Sequence, residues 1–183
     1  MRLFTALDLP PELTQSLTEL QRHLRPAARM QWSPAANLHV TTKFIGEWPD
    51  ARLSELTAAL AGLPVTGPIT VRIRRLGFFP NPQAPRSFWC GIEAPGLPEL
   101  AEATDYSCAA LGVPCEKHPF SPHLTLARLR TQVRLQSLHH AIAGLPSLEF
   151  GGFEAHSFFL YRSVLQPTGS VYTKLAEFPL IKS

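Results

Sequence analysis

Two short stretches of the sequence carry histidine and threonine at the same spacing between apolar residues. In NLHVTTKFIG, residues 37–46, the alternate positions are His39, Thr41 and Lys43. In SPHLTLARL, residues 121–129, they are His123 and Thr125. Because successive side chains of a β-strand point to opposite faces, each set is predicted to share one face of a strand.

Two facing histidines suit an in-line displacement at phosphorus. One group must take a proton from the attacking oxygen while another gives a proton to the leaving oxygen on the opposite side. Imidazole has an ordinary pKa near 6.5, so a neutral ring and a protonated ring can coexist around neutral pH. The hydroxyls of Thr41 and Thr125 can donate hydrogen bonds to the non-bridging phosphoryl oxygens, and Lys43 can add positive charge.

Metal chemistry has little support in the sequence. There is no HExxH motif, and no Asp or Glu lies within five residues of His39 or His123. A single histidine on a strand is more often a structural residue, so the prediction depends on the pair. We therefore predict a site that uses no metal and no cofactor.

The two motifs occupy equivalent points of an internal repeat. His39 and His123 are 84 positions apart, Leu3 and Phe88 are 85 apart, and the AGLP segments that begin at 61 and 143 are 82 apart. The order strand, helix, strand, helix, strand occurs twice. This regularity indicates a duplication.

The hydrophobic periodicity predicts the elements of each copy. Besides the two histidine strands, strands are expected at 3–9, 69–79, 87–94, 153–161 and 170–180. Helices are expected from Pro10 or Pro11, from about Asp50 to Ala61, from Pro98 to Gly112, and after a cap at Thr131. The proline-rich segment 78–86 reads as the connector.

These elements predict an α+β fold. We expect a bilobal, duplicated architecture with two mostly antiparallel sheets flanked by helices, and a central cleft into which both motifs face. The chain is predicted to be a single domain of residues 1–183, with one lobe at about 1–80 and the other at about 86–183.

The composition predicts a soluble protein of the cytoplasm. No apolar run approaches the roughly 20 residues needed to cross a bilayer, and Asp8 comes too early for a secretory signal. Cys90, Cys108 and Cys115 lack the spacings of a zinc site and are expected to be reduced, mostly buried thiols. The net charge of +3 and the pI near 9.0 permit an anionic partner without proving one.

The motifs resemble those of a known family, the RNA 2′,3′-cyclic phosphodiesterases of the 2H phosphoesterase superfamily, also called 2′-5′ RNA ligases. The resemblance spans nearly the whole chain. It is carried by RLFTALDLP, HVTTKFIGE, GFFP, FSPHLTLARL and SVLQPTGSVYTKLAEF. It implies a monomeric, metal-independent RNA-processing hydrolase that opens a terminal 2′,3′-cyclic phosphate to a 2′-phosphate and can run in reverse as a 2′-5′ ligase.

The resemblance also implies roles for individual residues. His39 would protonate the departing 3′-oxygen and His123 would activate water, while Thr41 and Thr125 would hold the phosphate. Arg128 matches a family arginine, although strict alternation from His123 puts it on the opposite face, so it reaches the phosphate only if the strand ends or bulges there. The aromatic residues carried over as candidates for stacking on a base are Phe4 and Phe79, and for Phe4 a role in the core is at least equally expected.

The chain departs from the family pattern at one position, and two alternative functions remain open. The family has an apolar residue where this chain has Thr42, which is expected to face the core and bond locally. A first alternative function is a module of the same fold that binds RNA ends or nucleotides without turnover. A second is a cyclic phosphodiesterase acting on small nucleotides such as ADP-ribose cyclic phosphate.

Overall fold

The computed structural model describes residues 1–64, 67–130, 133–167 and 169–180. It contains the predicted repeat of strands and helices, with short 3-10 turns at 25–27, 35–37 and 50–52. The strands and helices are β1 (Arg2–Asp8), α1 (Pro11–Leu24), β2 (Gln31–Trp32), β3 (His39–Glu47), α2 (Leu53–Ala61), β4 (Ile69–Phe79), β5 (Ser87–Glu93), α3 (Leu97–Ala110), β6 (His123–Arg128), α4 (Gln136–Ala143), β7 (Glu149–Ala155), β8 (Ser157–Gln166) and β9 (Gly169–Pro179).

The strands form two antiparallel sheets, which confirms the predicted fold class. Sheet one has the order β3-β1-β8-β9, and sheet two has the order β2-β6-β5-β4-β7. Helix α1 shows how the sequence produces this packing. Prolines pre-set its first turn, and four leucines at helical spacing are buried against the core: Leu13, Leu17, Leu20 and Leu24.

The two sheets do not correspond to the two halves of the chain. Strand β4 of the first half lies in sheet two, whereas β8 and β9 of the second half lie in sheet one. The predicted lobes of about 1–80 and 86–183 therefore do not match the sheets. The repeated copies exchange their last strands, because β4 pairs with β5 and β8 pairs with β1.

The predicted strand at 153–161 is wrong as a single element. The run has no glycine or proline to mark a break, yet it contains the end of β7 and the start of β8, which belong to different sheets. The change of sheet occurs at His156, whose carbonyl oxygen accepts the N–H of Leu180 at 2.8 Å.

The ends of α1 and α3 agree with the sequence signals, whereas α2 begins at Leu53 after a 3-10 turn at 50–52. Helix α3 ends at Ala110, and Gly112 follows with a φ of +95°, a left-handed conformation that favours glycine. Helix α4 begins at Gln136, and residues 133–135 are not helical, so the predicted start after Thr131 is too early. The predicted cap at Thr131 lies outside the described residues.

Two expectations from composition can be compared with the structure. Among the described residues, no helix is both long and apolar enough to span a bilayer. The cysteines are all free, with Cys90 and Cys108 buried and Cys115 exposed.

Candidate active site

The two histidine strands meet where the sheets approach each other. Strand β3 is the edge strand of sheet one, and it contacts β6 of sheet two. His39 begins β3 and His123 begins β6. Charges at Arg128 and His123 are close enough to act on the pKa of His39. The structure thus brings both motif histidines and Arg128 to one cleft.

A β-bulge interrupts the alternation in both strands. On β3, Thr41 pairs with Ala6 but Lys43 pairs with Thr5, so Thr42 is the extra residue. On β6, Thr125 pairs with Trp89 and Ala127 pairs with Phe88, so position 126 is the extra residue. An extra residue shifts every later side chain to the other face. The bulges lie three residues after each histidine.

The bulge on β3 removes Lys43 from the predicted phosphate site. Lys43 is only 3% exposed, and its ammonium donates to Asp105 Oδ1 at 2.7 Å, Glu116 Oε1 at 3.0 Å and the Pro114 carbonyl at 3.0 Å. Burial favours the neutral amine, but these hydrogen bonds outweigh it and raise the pKa of Lys43. Its three N–H groups are thus engaged inside the fold, and the prediction for Lys43 is wrong.

The bulge on β6 has the opposite consequence for Arg128. The side chain is exposed, and the shifted register returns it to the face that carries His123 and Thr125. The condition set by the sequence, a bulge before Arg128, is met. On β3 the corresponding position is Phe44, 84 residues earlier, which is 54% exposed and which sequence reasoning missed.

His39 lies against a group of aromatic rings. Its ring stacks on Phe4 with centroids 4.9 Å apart and meets the edge of Tyr172 at 5.2 Å. Its Nε2 atom is 2.9 Å from the hydroxyl of Thr41. Phe4 also stacks on Tyr161 at 5.2 Å and is only 3% exposed. Of the two roles predicted for Phe4, the buried ring supports the core role and contradicts stacking on a base.

This enclosure changes the proton affinity of His39. Burial lowers the pKa of His39 to about 4. A hydrogen bond with the Asn37 main chain and the charge of Asp8 act in the opposite direction, whereas Arg128 and His123 lower the pKa further. In the free protein His39 is therefore neutral at neutral pH.

An acidic residue that the sequence analysis did not select stands beside His39. Asp8 is the direct cross-strand partner of His39 in the β1–β3 pair. It accepts hydrogen bonds from the hydroxyl of Tyr161 and, at 2.5 Å, from Lys174 Nζ. A cavity of about 240 Å³ is lined by Asp8, His39, Tyr161 and Tyr172 among others.

His123 has fewer covering groups. Its Nδ1 lies 2.7 Å from the carbonyl oxygen of Ser121, so Nδ1 carries the proton in this contact and Nε2 is left as the proton acceptor. The half-buried Phe79 meets it edge to face at 5.0 Å and also contacts Trp89 at 5.1 Å. Gly77 makes room for Trp89, since a Cβ there would come within 2.3 Å of its ring.

Each bulge is held by the other half of the chain. Lys43, next to the bulge on β3, binds Asp105 of helix α3. The carbonyl of the bulge residue on β6, Leu126, accepts hydrogen bonds from Gln21 Nε2 of α1 at 3.0 Å and from the Ser33 N–H at 2.8 Å. Gln21 and Asp105 are themselves 84 positions apart, the spacing of the two histidines. That spacing was the signal by which this pair could have been found.

Thr42 behaves as expected for the departure from the family pattern. It is 4% exposed, and its hydroxyl lies 2.7 Å from that of Thr5. Among the described residues, no three His, Cys, Asp or Glu side chains are grouped as they would be around a metal ion.

The fold and the match to a family model define the chain as a phosphoesterase. A family model described as LigT-like phosphoesterase matches residues 7–89 and 92–172, so each match contains one of the two motifs. The chain therefore belongs to the LigT-like phosphoesterases of the 2H superfamily, as its motifs predicted.

Similar proteins extend over almost the full chain. The RNA 2′,3′-cyclic phosphodiesterase of Thermus thermophilus is 35% identical over 188 residues, covering 98% of this chain and 90% of the relative. That of Methanocaldococcus jannaschii is 30% identical over 177 residues, covering 97% and 99%.

Solved structures share the fold. A crystal structure of a Thermus thermophilus protein matches with a TM-score of 0.83 and 34% identity, covering 98% of both chains. The structure of E. coli LigT complexed with 3′-AMP matches with a TM-score of 0.77 and 26% identity, covering 99% of this chain and 98% of that one.

Proposed function

We propose that the protein is an RNA 2′,3′-cyclic phosphodiesterase that hydrolyses a terminal 2′,3′-cyclic phosphate to a 2′-phosphate. The observation that carries the proposal is the presence of two His-x-Thr strands at one cleft, in equivalent positions of a duplicated fold. The names of the relatives support the same activity.

The proposed reaction uses the histidines in opposite roles. His123 takes a proton from water as the water oxygen attacks phosphorus. The bond from phosphorus to the 3′-oxygen breaks, and His39 gives its proton to that oxygen. The product carries a 2′-phosphate and a free 3′-hydroxyl. When the 5′-hydroxyl of a second RNA strand attacks phosphorus in place of water, the same bond to the 3′-oxygen breaks, and the product is a 2′-5′ linkage with a free 3′-hydroxyl.

The surroundings of the two rings support this assignment. His123, near the exposed side of the cleft, is accessible to water, while His39 adjoins the aromatic cavity that can receive the nucleoside. His39 must be protonated to act as the acid. Since burial lowers its pKa to about 4, the negative charge of the bound phosphate has to raise that pKa before the proton can be given.

Three further side chains would hold the phosphate in this proposal. The hydroxyls of Thr41 and Thr125 donate to the non-bridging oxygens, and the guanidinium of Arg128 supplies positive charge. Proton transfer and charge stabilisation then come from the protein's own side chains. We therefore propose that the reaction needs no metal ion and no cofactor.

A second candidate function has a specific observation in its favour. The cavity beside His39 is about 240 Å³, and E. coli LigT has been crystallised with the mononucleotide 3′-AMP. A small cyclic nucleotide such as ADP-ribose cyclic phosphate could use the same chemistry. The proposal of a module that binds RNA without turnover is disfavoured by the presence of both complete motifs. Monomeric state and cytoplasmic location stay predictions.

The decisive experiment is hydrolysis of an oligoribonucleotide ending in a 2′,3′-cyclic phosphate, in excess EDTA, beside a cyclic mononucleotide. We expect turnover of the oligonucleotide, with phosphorus NMR showing a 2′-phosphate. Activity lost in EDTA and restored by a divalent cation would contradict the metal-free reaction. A product that is only the 3′-isomer would contradict the choice of leaving oxygen. Preference for the small substrate would support the second candidate.

A further inference from the structure

Asp8 is held in a fixed position at the end of β1. The hydroxyl of Tyr161 donates to Oδ1, and Lys174 Nζ donates to Oδ2 at 2.5 Å. Tyr161 is itself fixed by stacking on Phe4 at 5.2 Å, and Lys174 lies over the ring of Phe159 at 3.7 Å. Both carboxylate oxygens are therefore engaged by groups that belong to sheet one.

The fixed carboxylate faces the same space as His39. The two residues are direct partners across the β1–β3 pair, and both line the 240 Å³ cavity. Side chains opposite each other on antiparallel strands have Cβ atoms about 5 Å apart. At that separation in a partly enclosed cleft, a charge on one side chain acts strongly on the other.

The other groups around His39 differ in whether they favour or disfavour a positive charge on its ring. Arg128 and His123 of β6 disfavour a positive ring, while the Asn37 main chain favours it. Tyr161 and Tyr172 are uncharged hydroxyl groups in the cavity, and Lys174 is bound to the far oxygen of Asp8. Of the charged groups that act on His39 in the described part of the chain, Asp8 is the negative one.

We infer that Asp8 is a positioning residue for proton donation by His39: Tyr161 and Lys174 fix its carboxylate so that its negative charge stabilises the imidazolium that protonates the leaving oxygen. The inference rests on the proposed function for the identity of the leaving group. In this scheme Asp8 contacts neither the attacking water nor the bond that breaks, so it acts through His39.

The sign of each substitution follows from the charges. Asp8→Asn removes the negative charge and should lower the pKa of His39 by about one unit. Lys174→Met removes a positive charge and leaves Asp8 less compensated, so the pKa of His39 should rise. Glu177→Gln is the matched control, because it removes one negative charge from exposed Glu177 on the same sheet. It should leave the pKa of His39 unchanged.

NMR titration of the His39 ring in the free protein measures these shifts without any substrate. Opposite shifts for Asp8→Asn and Lys174→Met support the inference, and the Lys174 variant provides a test even if the Asp8 variant does not fold. An unmoved His39 in both folded variants would overturn it. So would an equal shift in Glu177→Gln, which would mean that overall charge is responsible.

Kinetics then separate a positioning role from a structural one. With a cyclic-phosphate oligonucleotide, Asp8→Asn should lower kcat at neutral pH about tenfold with little change in KM, and move the limb of the pH profile that reports the acid to lower pH. A nitrophenyl phosphodiester needs no leaving-group proton and should restore most of the loss. A loss that the better leaving group does not restore would overturn the inference. Wild-type protein without activity on RNA would refute the proposed function while leaving the titration result intact.

Discussion

Strands β3 and β6 begin with the same motif, but the residues around the motif differ between the two strands. His39 is stacked on Phe4 and edged by Tyr172, with a carboxylate opposite, whereas His123 meets the edge of Phe79 and binds a main-chain carbonyl near the surface. Burial lowers the pKa of His39 to about 4. The duplicated motif therefore does not give two equal surroundings, because the neighbouring strands determine the burial and the contacts of each ring.

The contrast continues past the two bulges. The first position after the bulge is the buried Lys43 on β3 and Ala127 on β6. The next position is the exposed Phe44 on β3 and Arg128 on β6. The cleft therefore has an apolar, aromatic side and a cationic side. This arrangement suits a ligand with a base at one end and a phosphate at the other.

Removing each histidine in turn tests whether the two rings have different roles. His39→Ala and His123→Ala should each lower the rate by about 10² to 10⁴. The double variant should be little worse than the poorer single one, because both protons move in one reaction step. Steady-state rates with a cyclic-phosphate oligonucleotide measure this. Losses that multiply fully in the double variant would show that the rings act independently.

A nitrophenyl leaving group distinguishes the two roles. It should rescue His39→Ala much more than His123→Ala, since only the leaving-group proton becomes unnecessary. Equal rescue would remove the proposed division into acid and base.

Replacing Lys43 is expected to lower the stability of the fold rather than the activity. Lys43→Met leaves Asp105, 19% exposed, without its partner, and should lower the free energy of unfolding by about 3 kcal/mol. Urea unfolding measures the change. Activity of the folded fraction should be nearly unchanged, because Lys43 faces away from the cleft. The control is Arg52→Met, which breaks an exposed ion pair with Glu55 and should cost much less. A stable but inactive Lys43 variant would restore its predicted role at the phosphate.

The threonines test whether the two motifs remain equivalent in holding the phosphate. Thr41→Val and Thr125→Val should each slow turnover by roughly ten- to a thousandfold if a hydrogen bond to the transition state is lost. The valine side chain preserves the shape. Full activity in both variants would assign the hydroxyls a structural role, and loss in one alone would extend the asymmetry of the histidines to the threonines.

The smallest effects are expected at the two exposed positions that follow the bulges, Phe44 and Arg128. Arg128→Ala should lower kcat/KM about tenfold for any phosphodiester substrate. Phe44→Ala should raise KM severalfold for substrates that carry a base and leave a nitrophenyl phosphodiester unaffected. Arg25→Ala, an exposed arginine in the turn after α1, is the control for lost charge. Effects of Phe44 that are equal for both substrates would contradict stacking on a base.

The sequence predicts best what depends on local pattern. The fold class, the proximity of His39 and His123, and the burial of Thr42 follow from alternation and repeat spacing. Lys43 was misplaced because a bulge depends on the register of the partner strand, which alternation within one strand does not encode. Asp8 was missed because its distance from His39 is short across strands and long in sequence. The choice between the two roles of Phe4 stayed open in the sequence because its stacking partners come from β3, β8 and β9 together.

The exchange of strands between the sheets has a consequence for the origin of the fold. Each copy of the repeat lacks part of a sheet when considered alone, since β4 completes the sheet of the second copy and β8 completes that of the first. Such reciprocity is what fusion of two identical, strand-swapped chains leaves behind. Because both copies lie in one chain, their sequences need not stay identical, and the surroundings of His39 and His123 can differ.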